Sequence, residues 1–404
     1  MGSSELPAFE YALADADNHY YEPDDCFTRH IAPAYREQAI KVVRTGDDGY
    51  GRVLIGDQPG HFMRVSPGDH VGPPGHLQAY FRGEVERGHV TDAAIDAKDY
   101  PEFMEREARL KLMDAQGLET AVLIPTFGLA VEEDLHEDFA PDVTYANLES
   151  FNRWLAEDWG YGADGRIIGV PVLSLLDADL AVAELDRVLA EGARMVHLRP
   201  GPVYGRSPAD PAFDAFWSRV EEAGVPVAFH ISDSQYPGLF STHWGEYGRP
   251  AVHRLSPFQR LTCFAERPIV DTLAALVLHN LFGRHPGVQV ISIENGSEWV
   301  PHLLKMMDKA AGSVQDRDWP FGVAPAKPSE VFKSHVSVVP FHEEDIPGLI
   351  GLLGPEKVVF GSDFPHPEGL AEPVEFATAL EGQSPEVVRQ VMRDNLRDLL
   401  RLGS

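Results

Sequence analysis

The sequence predicts an α/β protein built as a (β/α)8 barrel. Eight short apolar runs rich in β-branched residues alternate with segments of helical periodicity, and this alternation implies a parallel sheet. Eight β/α units are typical of a closed barrel rather than of an open, doubly wound sheet. In addition, no G-x-G-x-x-G motif opens a helix after an early strand, so the main motif of the dinucleotide-binding alternative is missing.

The order of the elements follows from periodicity and from end signals. Gly117 closes the first predicted helix, and Asp177 and Gly192 bound the third as N-cap and C-terminal residue. The predicted strands are 10–19, 120–126, 166–173, 193–200, 225–232, 287–296, 334–341 and 357–363. The predicted helices are 103–117, 143–159, 177–192, 210–224, 268–284, 297–310, 343–353 and 385–402.

Two segments interrupt this rhythm, one of them after strand 1 (about 23–100) and the other after strand 5 (about 233–266). The first contains a predicted hairpin over 39–55 that turns at Asp48-Gly49. Both leave strand ends, where barrel enzymes place their active sites, and long loops there are usually lids or substrate walls. We therefore interpret residues 1–404 as a single barrel domain with two insertions that build a pocket.

Composition excludes several classes of function. The chain carries 63 acidic and 34 basic residues, a net charge of −29, which disfavours nucleic acid and anionic membrane surfaces as partners. Its two cysteines cannot make a disulfide framework. No secretory signal and no membrane-spanning apolar run is evident. These observations predict a cytoplasmic protein that acts on a small molecule, and a homodimer is the expected default.

Polar residues end several of the predicted strands. Asp17 and His19 end strand 1, and because they are two apart they point the same way in an extended chain. His230, Glu294 and Asp363 end strands 5, 6 and 8, and closure of a barrel would bring all of them to one rim. Carboxylates and imidazoles suit Zn²⁺, Mn²⁺ or Fe²⁺. Each residue alone also has an ordinary interpretation as a cap or a hydrogen-bonded structural group, so only their coincidence predicts a metal site.

Four other residues are candidates for contacts with a substrate. Arg199, which ends strand 4, could hold a carboxylate in a bidentate pair, or form a salt bridge at the barrel rim. His366 follows Asp363 by three residues and is either near the metal or a surface loop residue. Glu22 could orient His19 or line the pocket. Trp299 suits an aromatic substrate, although core packing explains it equally well.

Several of these stretches resemble the amidohydrolase-related ("amidohydrolase 2") family, which includes aminocarboxymuconate-semialdehyde and γ-resorcylate decarboxylases. The matching segments are "DADNHYYEP" (15–23), "LKLMDAQGLETAVLIPT" (110–126), "VPVAFHISDS" (225–234), the stretch 281–308 and "VVFGSDFPHPEG" (358–369). The resemblance implies a distorted barrel that holds one divalent metal. It makes Asp17, His19, His230 and Asp363 the metal ligands and gives Asp363 a role in proton transfer.

The sequence departs from this family after strand 6. The decarboxylases typically carry a catalytic His there, whereas this chain reads Glu294-Asn295-Gly296. A neutral Asn cannot act as an acid, but Glu294 could do so if burial raised its pKa, or it could join the metal ligands. The departure weakens a direct transfer of decarboxylase chemistry.

Three functions remain open at this point. The first is a metal-dependent carbon–carbon lyase that decarboxylates a small aromatic or unsaturated acid, with Asp363, Glu294 and His230 as catalytic residues. The second is a hydrolase in which Asp363 takes a proton from metal-bound water. The third is a non-catalytic barrel that binds a small acid or a partner. We expect one divalent cation, with Zn²⁺ as first choice and Mn²⁺ or Fe²⁺ as alternatives.

Overall fold

The computed structural model describes residues 7–46, 49–81, 94–264 and 266–403 of the chain. Its strands are β1 Leu13–Tyr20, β2 Ile40–Val43, β3 Arg52–Ile55, β4 Gln58–Pro59, β5 Leu118–Pro125, β6 Ile167–Gly169, β7 Val196–His197, β8 Val227–His230, β9 Val290–Ile293 and β10 Val336–Val338. Seven of the eight predicted barrel strands therefore appear as strands within the described ranges.

The parallel strands form two sheets, with the orders β1-β5-β6 and β10-β9-β8-β7. Isolated parallel bridges extend these sheets and pair Val172 with His197, Val338 with Val358, and Asn18 with Phe364. All the strands of these two sheets are buried along most or all of their length, as expected for parallel sheets covered by helices. The prediction of an α/β fold with parallel strands is confirmed.

The segment predicted as the eighth strand, 357–363, is not a continuous strand, so that prediction was wrong. Val358 makes a single bridge, and the N–H of Val359 donates to the carbonyl of Val338. Further along, Asp363 has a φ of 56°, which is incompatible with an extended strand. The N–H of Ser362 donates to the side-chain carboxylate of Asp15 rather than to a backbone carbonyl of a neighbouring strand.

Helices connect the strands. The α-helices are α1 Gln78–Phe81, α2 Arg106–Gln116, α3 Glu132–Asp138, α4 Pro141–Asp158, α5 Ala178–Ala190, α6 Asp214–Ala223, α7 Tyr236–Leu239, α8 Pro257–Gln259, α9 Arg267–Leu278, α10 Leu281–Arg284, α11 Val300–Ala311, α12 Pro328–His335, α13 Ile346–Leu353, α14 Pro385–Arg389 and α15 Asn395–Leu399. Single π-helical turns occupy Arg260–Phe264 and Gln390–Asp394. Short 3₁₀ helices include Pro33–Gln38, Gly128–Ala130, Pro211–Phe213, Ser241–Trp244, Val252–Arg254 and Pro373–Leu380.

The predicted end signals hold where they can be checked. Gly117 ends α2 in the left-handed conformation (φ 74°), and the Asp177 side chain accepts the N–H groups of residues 179 and 180 at the start of α5. The predicted helix 268–284 is instead divided into α9 and α10, because Asn280 adopts a φ of 56° between them. The predicted last helix is likewise interrupted, by the π-turn between α14 and α15.

The two segments predicted as insertions fold over the strand ends. In the first, β2 and β3 pair antiparallel from Ile40↔Ile55 to Val43↔Arg52, which confirms the hairpin ladder, while Asp48 of its predicted turn lies outside the described residues. Tyr21, Val71, Ala97, Phe103 and Phe364 form a small apolar cluster of their own that attaches this segment to the end of β1. The second segment contains α7, α8 and the first π-turn.

One large apolar core underlies both sheets. Its bulkiest fully buried members include Trp154, Trp159, Trp217 and Phe151. Cys26 and Cys263 are buried free thiols. In the part of the chain that the structure describes, no helix combines the length and the apolar composition needed to cross a membrane.

Candidate metal centre

The polar residues predicted at strand ends converge on one point. Asp17 and His19 lie on β1, His230 is the last residue of β8, and Glu294 directly follows β9. Parallel strands deliver these side chains to one edge because their carboxyl ends lie on the same side of the sheet. The segment after Val358 adds Asp363.

The ligating atoms lie close together. The Nε2 atom of His19 is 3.2 Å from Asp17 Oδ1, 3.3 Å from Asp363 Oδ1 and 3.8 Å from Glu294 Oε2. The Nε2 atom of His230 is 2.9 Å from Glu294 Oε2 and 3.5 Å from Asp17 Oδ1. One atom from each of Asp17, His19, His230 and Glu294 falls within 4.8 Å of all the others, and His19, Glu294, Asp363 and His366 form a second such group.

Three of these atoms are buried without a hydrogen bond to any described residue: Asp17 Oδ1, His19 Nε2 and His230 Nε2. Unsatisfied buried polar atoms are costly, and here all three point into one small volume. His230 is also in the correct tautomer, because its Nδ1 lies 2.8 Å from the carbonyl of Ile231, which can only accept. Its Nε2 is therefore the nitrogen that can ligate a metal once it has lost any proton it carries, the usual arrangement of a metal-ligating histidine. The residues present fit a divalent cation.

The charged groups of this cluster shift one another's pKa values. Burial by itself would raise the pKa of Asp17, but His19 and His230 outweigh it and hold that pKa well below its usual range. Burial by itself would lower the pKa of His230, but Glu294 and Asp17 raise it to about 9. Burial raises the pKa of Glu294, and the nearby carboxylate of Asp363 raises it further. The cluster thus gathers carboxylates whose charges need a positive partner.

Two of the acids also hold unusual backbone conformations. Glu294 has a φ of 54° and Asp363 a φ of 56°, values in the left-handed region that non-glycine residues seldom adopt. Such strain persists only where the surrounding structure enforces it, and it concentrates at functional sites. Both acids are therefore held in place by the fold rather than by local preference.

Asp363 and His366 form a second unit beside the cluster. His366 Nδ1 lies 2.8 Å from Asp363 Oδ1, and its Nε2 lies 3.0 Å from the hydroxyl of Thr126. That hydroxyl donates its single hydrogen to the carbonyl of Tyr20, so it accepts from His366 Nε2–H. The Nδ1 atom and the carboxylate then share one proton. Burial raises the pKa of Asp363 to about 6, whereas burial and the nearby His19 lower the pKa of His366 to about 4, so the shared proton resides mainly on the carboxyl group.

A β-bulge explains why Asp15 does not join Asp17 and His19. On β1 the step from Asp15 to Asn18 faces the shorter step from Ala121 to Leu123 on β5, so β1 carries one extra residue there. Bulges redirect side chains and often lie next to active sites. Asp15 accordingly turns toward the last segment and accepts hydrogen bonds from the N–H and hydroxyl of Ser362.

A buried arginine supports the other side of β1. Arg109, on α2, donates to the carbonyl of His19 at 2.7 Å and to the side-chain oxygen of Asn18 at 3.1 Å. The third guanidinium nitrogen, Nε, donates to the carbonyl of Glu102. Because Arg109 is fully buried, these contacts fix the backbone that carries the two candidate ligands of β1, Asp17 and His19.

A cavity of about 460 Å³ opens above the cluster. His19, His230, Glu294 and His366 lie on its floor, and its walls are largely apolar. The first predicted insertion contributes Phe62, Met63, His70 and Val71, and the second contributes Val252, His253, Arg260 and Phe264. A smaller cavity of about 320 Å³ reaches the cluster from the side of Asp17 and Asp363.

The other predicted substrate contacts lie elsewhere. Arg199 is buried, with ion pairs to Glu132 at 3.4 Å and to Glu133 at 3.0 Å. Trp299 is packed in the core, and its indole N–H donates to the carbonyls of residues 295 and 296. In this structure both residues match their alternative interpretations, a rim salt bridge and core packing, and neither lines the cavity above the cluster.

Glu22 and Asn295 also have structural partners. The carboxylate of Glu22 accepts the N–H groups of Phe127 and Gly128 and fixes the loop after β5. The Asn295 amide donates to the carbonyls of residues 229 and 293. Among the residues of the turn after β9, Glu294 is therefore the one whose side chain reaches the group of candidate metal ligands.

Comparison with known proteins identifies relatives of the whole chain. The amidohydrolase family model matches residues 15–402. The crystal structure of an amidohydrolase from Mycobacterium avium subsp. paratuberculosis K-10 is 40% identical, with a TM-score of 0.87 over 97% of this chain and 100% of that one.

Two further relatives are decarboxylases by name. The γ-resorcylate decarboxylase of Rhizobium radiobacter is 24% identical over 283 residues, which cover 64% of this chain and 76% of the relative. The 5-carboxyvanillate decarboxylase of Novosphingobium aromaticivorans, crystallised with manganese and 4-hydroxy-3-methoxy-5-nitrobenzoic acid, is 15% identical. Its TM-score is 0.63 over 97% of this chain and 96% of that one, so this likeness concerns the fold.

Proposed function

Because this chain belongs to the amidohydrolase family, we propose that it is a divalent-metal-dependent decarboxylase of a small aromatic carboxylic acid. It is a metal-dependent carboxy-lyase or hydrolase of that superfamily. The observation that carries the choice is the cluster of Asp17, His19, His230 and Glu294, the last three of which lie at the floor of a largely apolar cavity. A ring-sized acid fits such a cavity with its carboxylate toward the cluster.

We assign the metal to Asp17, His19, His230 and Glu294, with Asp363 at its edge. A bound cation would act there as a template for the substrate carboxylate and as a sink for negative charge. Manganese is bound in a relative of the same fold, so we rank Mn²⁺ beside the Zn²⁺ that the sequence alone favoured. Both ions, and Fe²⁺, accept mixed imidazole and carboxylate ligands.

The protein's own groups supply the remaining chemistry. The apolar walls hold the ring and exclude water, which strengthens every charge interaction at the floor. We assign the proton held between Asp363 and His366 to the ring carbon that loses its carboxylate. That carbon keeps the electron pair of the broken carbon–carbon bond and takes the proton, and CO₂ leaves. His366 thus supplies the imidazole that the turn at Glu294 lacks.

A hydrolase is the second candidate, favoured by one observation. The place of the family's catalytic histidine, after the sixth predicted strand (β9), is taken by Glu294, whose Oε2 lies 2.9 Å from His230 Nε2. In that case Asp363 would accept a proton from water during attack on a carbonyl carbon. A non-catalytic barrel would leave the orphaned ligand atoms of the cluster without a purpose, and we do not favour it.

Several wider features are part of the same proposal. The bridges at Val172, Val338 and Asn18 support closure of the two sheets into a distorted (β/α)8 barrel. The lining of the cavity supports the interpretation of 23–100 and 233–266 as insertions into a single domain. A cytoplasmic location and a homodimeric state remain predictions.

The decisive experiment combines metal analysis with product detection. We expect purified wild-type protein, reconstituted with Mn²⁺ or Zn²⁺, to hold about one ion per chain and to release CO₂ from at least one member of a panel of hydroxybenzoic acids. Asp17→Asn should lose most of the metal and the activity, whereas the exposed control Asp57→Asn should keep both. Cleavage of esters or amides without any release of CO₂ would favour the hydrolase instead. A protein that binds no metal would contradict both enzymatic proposals.

A further inference from the structure

The cavity above the candidate metal ligands carries both acidic and basic groups. Its floor carries the imidazoles of His19, His230 and His366 and the carboxylate of Glu294, which are buried or half-buried. Its exposed lining residues are the acid Glu368 and three basic residues from the two long segments between strands, His70, His253 and Arg260. The chain as a whole has a net charge of −29. The basic groups at the mouth of the cavity therefore contrast with the acidic net charge of the chain.

Arg260 has no acidic partner in the described part of the chain. Its guanidinium donates to the carbonyl of Val252 at 3.3 Å, and no described carboxylate lies within 4.0 Å of it. Many other arginines of this acidic protein are paired with an acid, as Arg44 is with Asp24 and Arg187 with Glu184. An unneutralised guanidinium on a cavity wall retains its capacity for a bidentate bond to an anion.

The backbone around Arg260 is held rigidly. Ser256 and Gln259 form a reciprocal capping box just before it. The buried Gln259 amide also donates to the Ser241 hydroxyl at 2.9 Å and to the carbonyl of Tyr247 at 2.7 Å. Arg260 then opens a π-helical turn that ends at Phe264, which lines the same cavity. Isolated π-turns are frequent at functional sites.

We propose that Arg260 binds a second anionic group of the substrate, so that the preferred acid carries two acidic groups on one ring. This inference rests on the proposed function, because the first carboxylate must lie at the metal cluster. The apolar wall between floor and mouth, formed in part by Val252 and Phe264, covers the ring. The exposed His70 and His253 line the same mouth.

Binding of simple probes tests this inference without turnover. Calorimetric titration of the metal-loaded protein with benzoate, benzene-1,3-dicarboxylate and benzene-1,4-dicarboxylate compares one and two carboxylates on the same ring. We expect at least one dicarboxylate to bind about tenfold more tightly than benzoate, as one well-formed charged pair implies. Arg260→Gln should remove this preference and leave the benzoate affinity within about twofold. Arg254→Gln, an exposed neighbour that does not line the cavity, should leave the preference intact.

Other outcomes would overturn it. The inference is wrong if neither dicarboxylate binds more tightly than benzoate, or if wild-type protein binds none of the three probes. It is also wrong if Arg254→Gln abolishes the preference as fully as Arg260→Gln, since the effect would then come from general charge. None of these results bears on the release of CO₂ from monocarboxylic acids, so the proposed function fails or stands separately.

Discussion

Asp15 and Ser362 are joined by two hydrogen bonds, although 347 positions separate them in the chain. The hydroxyl of Ser362 donates to one carboxylate oxygen of Asp15 at 2.6 Å and its N–H donates to the other at 3.0 Å. The side chain of Asn18 also donates to Asp15, at 2.6 Å. Asp15 thus ties the strand that carries Asp17 and His19 to the segment that carries Asp363.

We expect Asp15→Asn to loosen this junction. An amide offers one acceptor oxygen, so its NH₂ group would face donors that now bind the carboxylate, and buried donors would lose their partners. The free energy of unfolding should fall by about 2 kcal/mol, measured by urea denaturation, and metal affinity should fall with it. Asp57→Asn, whose side chain is 93% exposed, is the matched control. Unchanged stability and metal affinity in Asp15→Asn would show that the junction does not position the cluster.

Metal affinity should depend on pH. In the metal-free protein Glu294 and Asp17 outweigh burial and raise the pKa of His230 to about 9, so this imidazole is protonated at neutral pH. A protonated imidazole cannot ligate, and a metal must displace that proton. The apparent affinity for the metal should therefore rise with pH up to about 9, by as much as tenfold per pH unit for one displaced proton.

Competition with a chromogenic chelator between pH 6 and pH 9 measures this dependence. Calorimetry in buffers of different ionisation enthalpy would count the released protons directly. An affinity that stays constant over this range, with no protons released, would show that His230 is already neutral and would contradict the prediction.

The candidate ligands at strand ends could be predicted from sequence because each is a local signal. Asp17, His19, His230 and Asp363 stand where an apolar run ends, and parallel strands place their carboxyl ends together. The partners of these ligands could not be predicted in the same way. Arg109 is a helical residue in a sequence of ordinary amphipathic pattern, and only the packing of α2 on β1 brings it to the carbonyl of His19.

The bulge in β1 could not be predicted from sequence either. Simple alternation places Asp15 on the same side as Asp17 and His19, but the bulge between residues 15 and 18 turns it away. The irregular eighth segment was missed because the run 357–360 is typical of a strand, whereas the conformation of Asp363 depends on contacts with β1. Arg199 and Trp299 illustrate the converse, since side chains suited to a substrate have partners within the protein instead.

His366 should affect turnover more than binding of the metal. If the proton shared by Asp363 and His366 protonates the substrate carbon, His366→Gln should lower kcat by about 100-fold or more and leave metal content near one ion per chain. His253→Gln, an exposed histidine of the cavity mouth, controls for the loss of an imidazole and should change KM more than kcat. Loss of the metal in His366→Gln would instead make His366 a ligand of the second group of candidate residues.

Gly361 offers a test of how closely the last segment must approach β1. A Cβ atom built on Gly361 would lie 2.7 Å from the Cβ of Asp17 and 2.5 Å from a methyl group of Val339, closer than packed carbon atoms allow. Gly361→Ala should therefore displace Asp17 or Asp363, lower metal affinity at least tenfold and destabilise the fold by about 1–3 kcal/mol.

Gly351, on α13 ten residues earlier, has nothing within 4 Å of the same added atom. Gly351→Ala should keep the metal and raise stability by up to about 1 kcal/mol, because alanine favours helices. Full metal binding by Gly361→Ala would mean that the approach of the two segments is not what aligns the ligands.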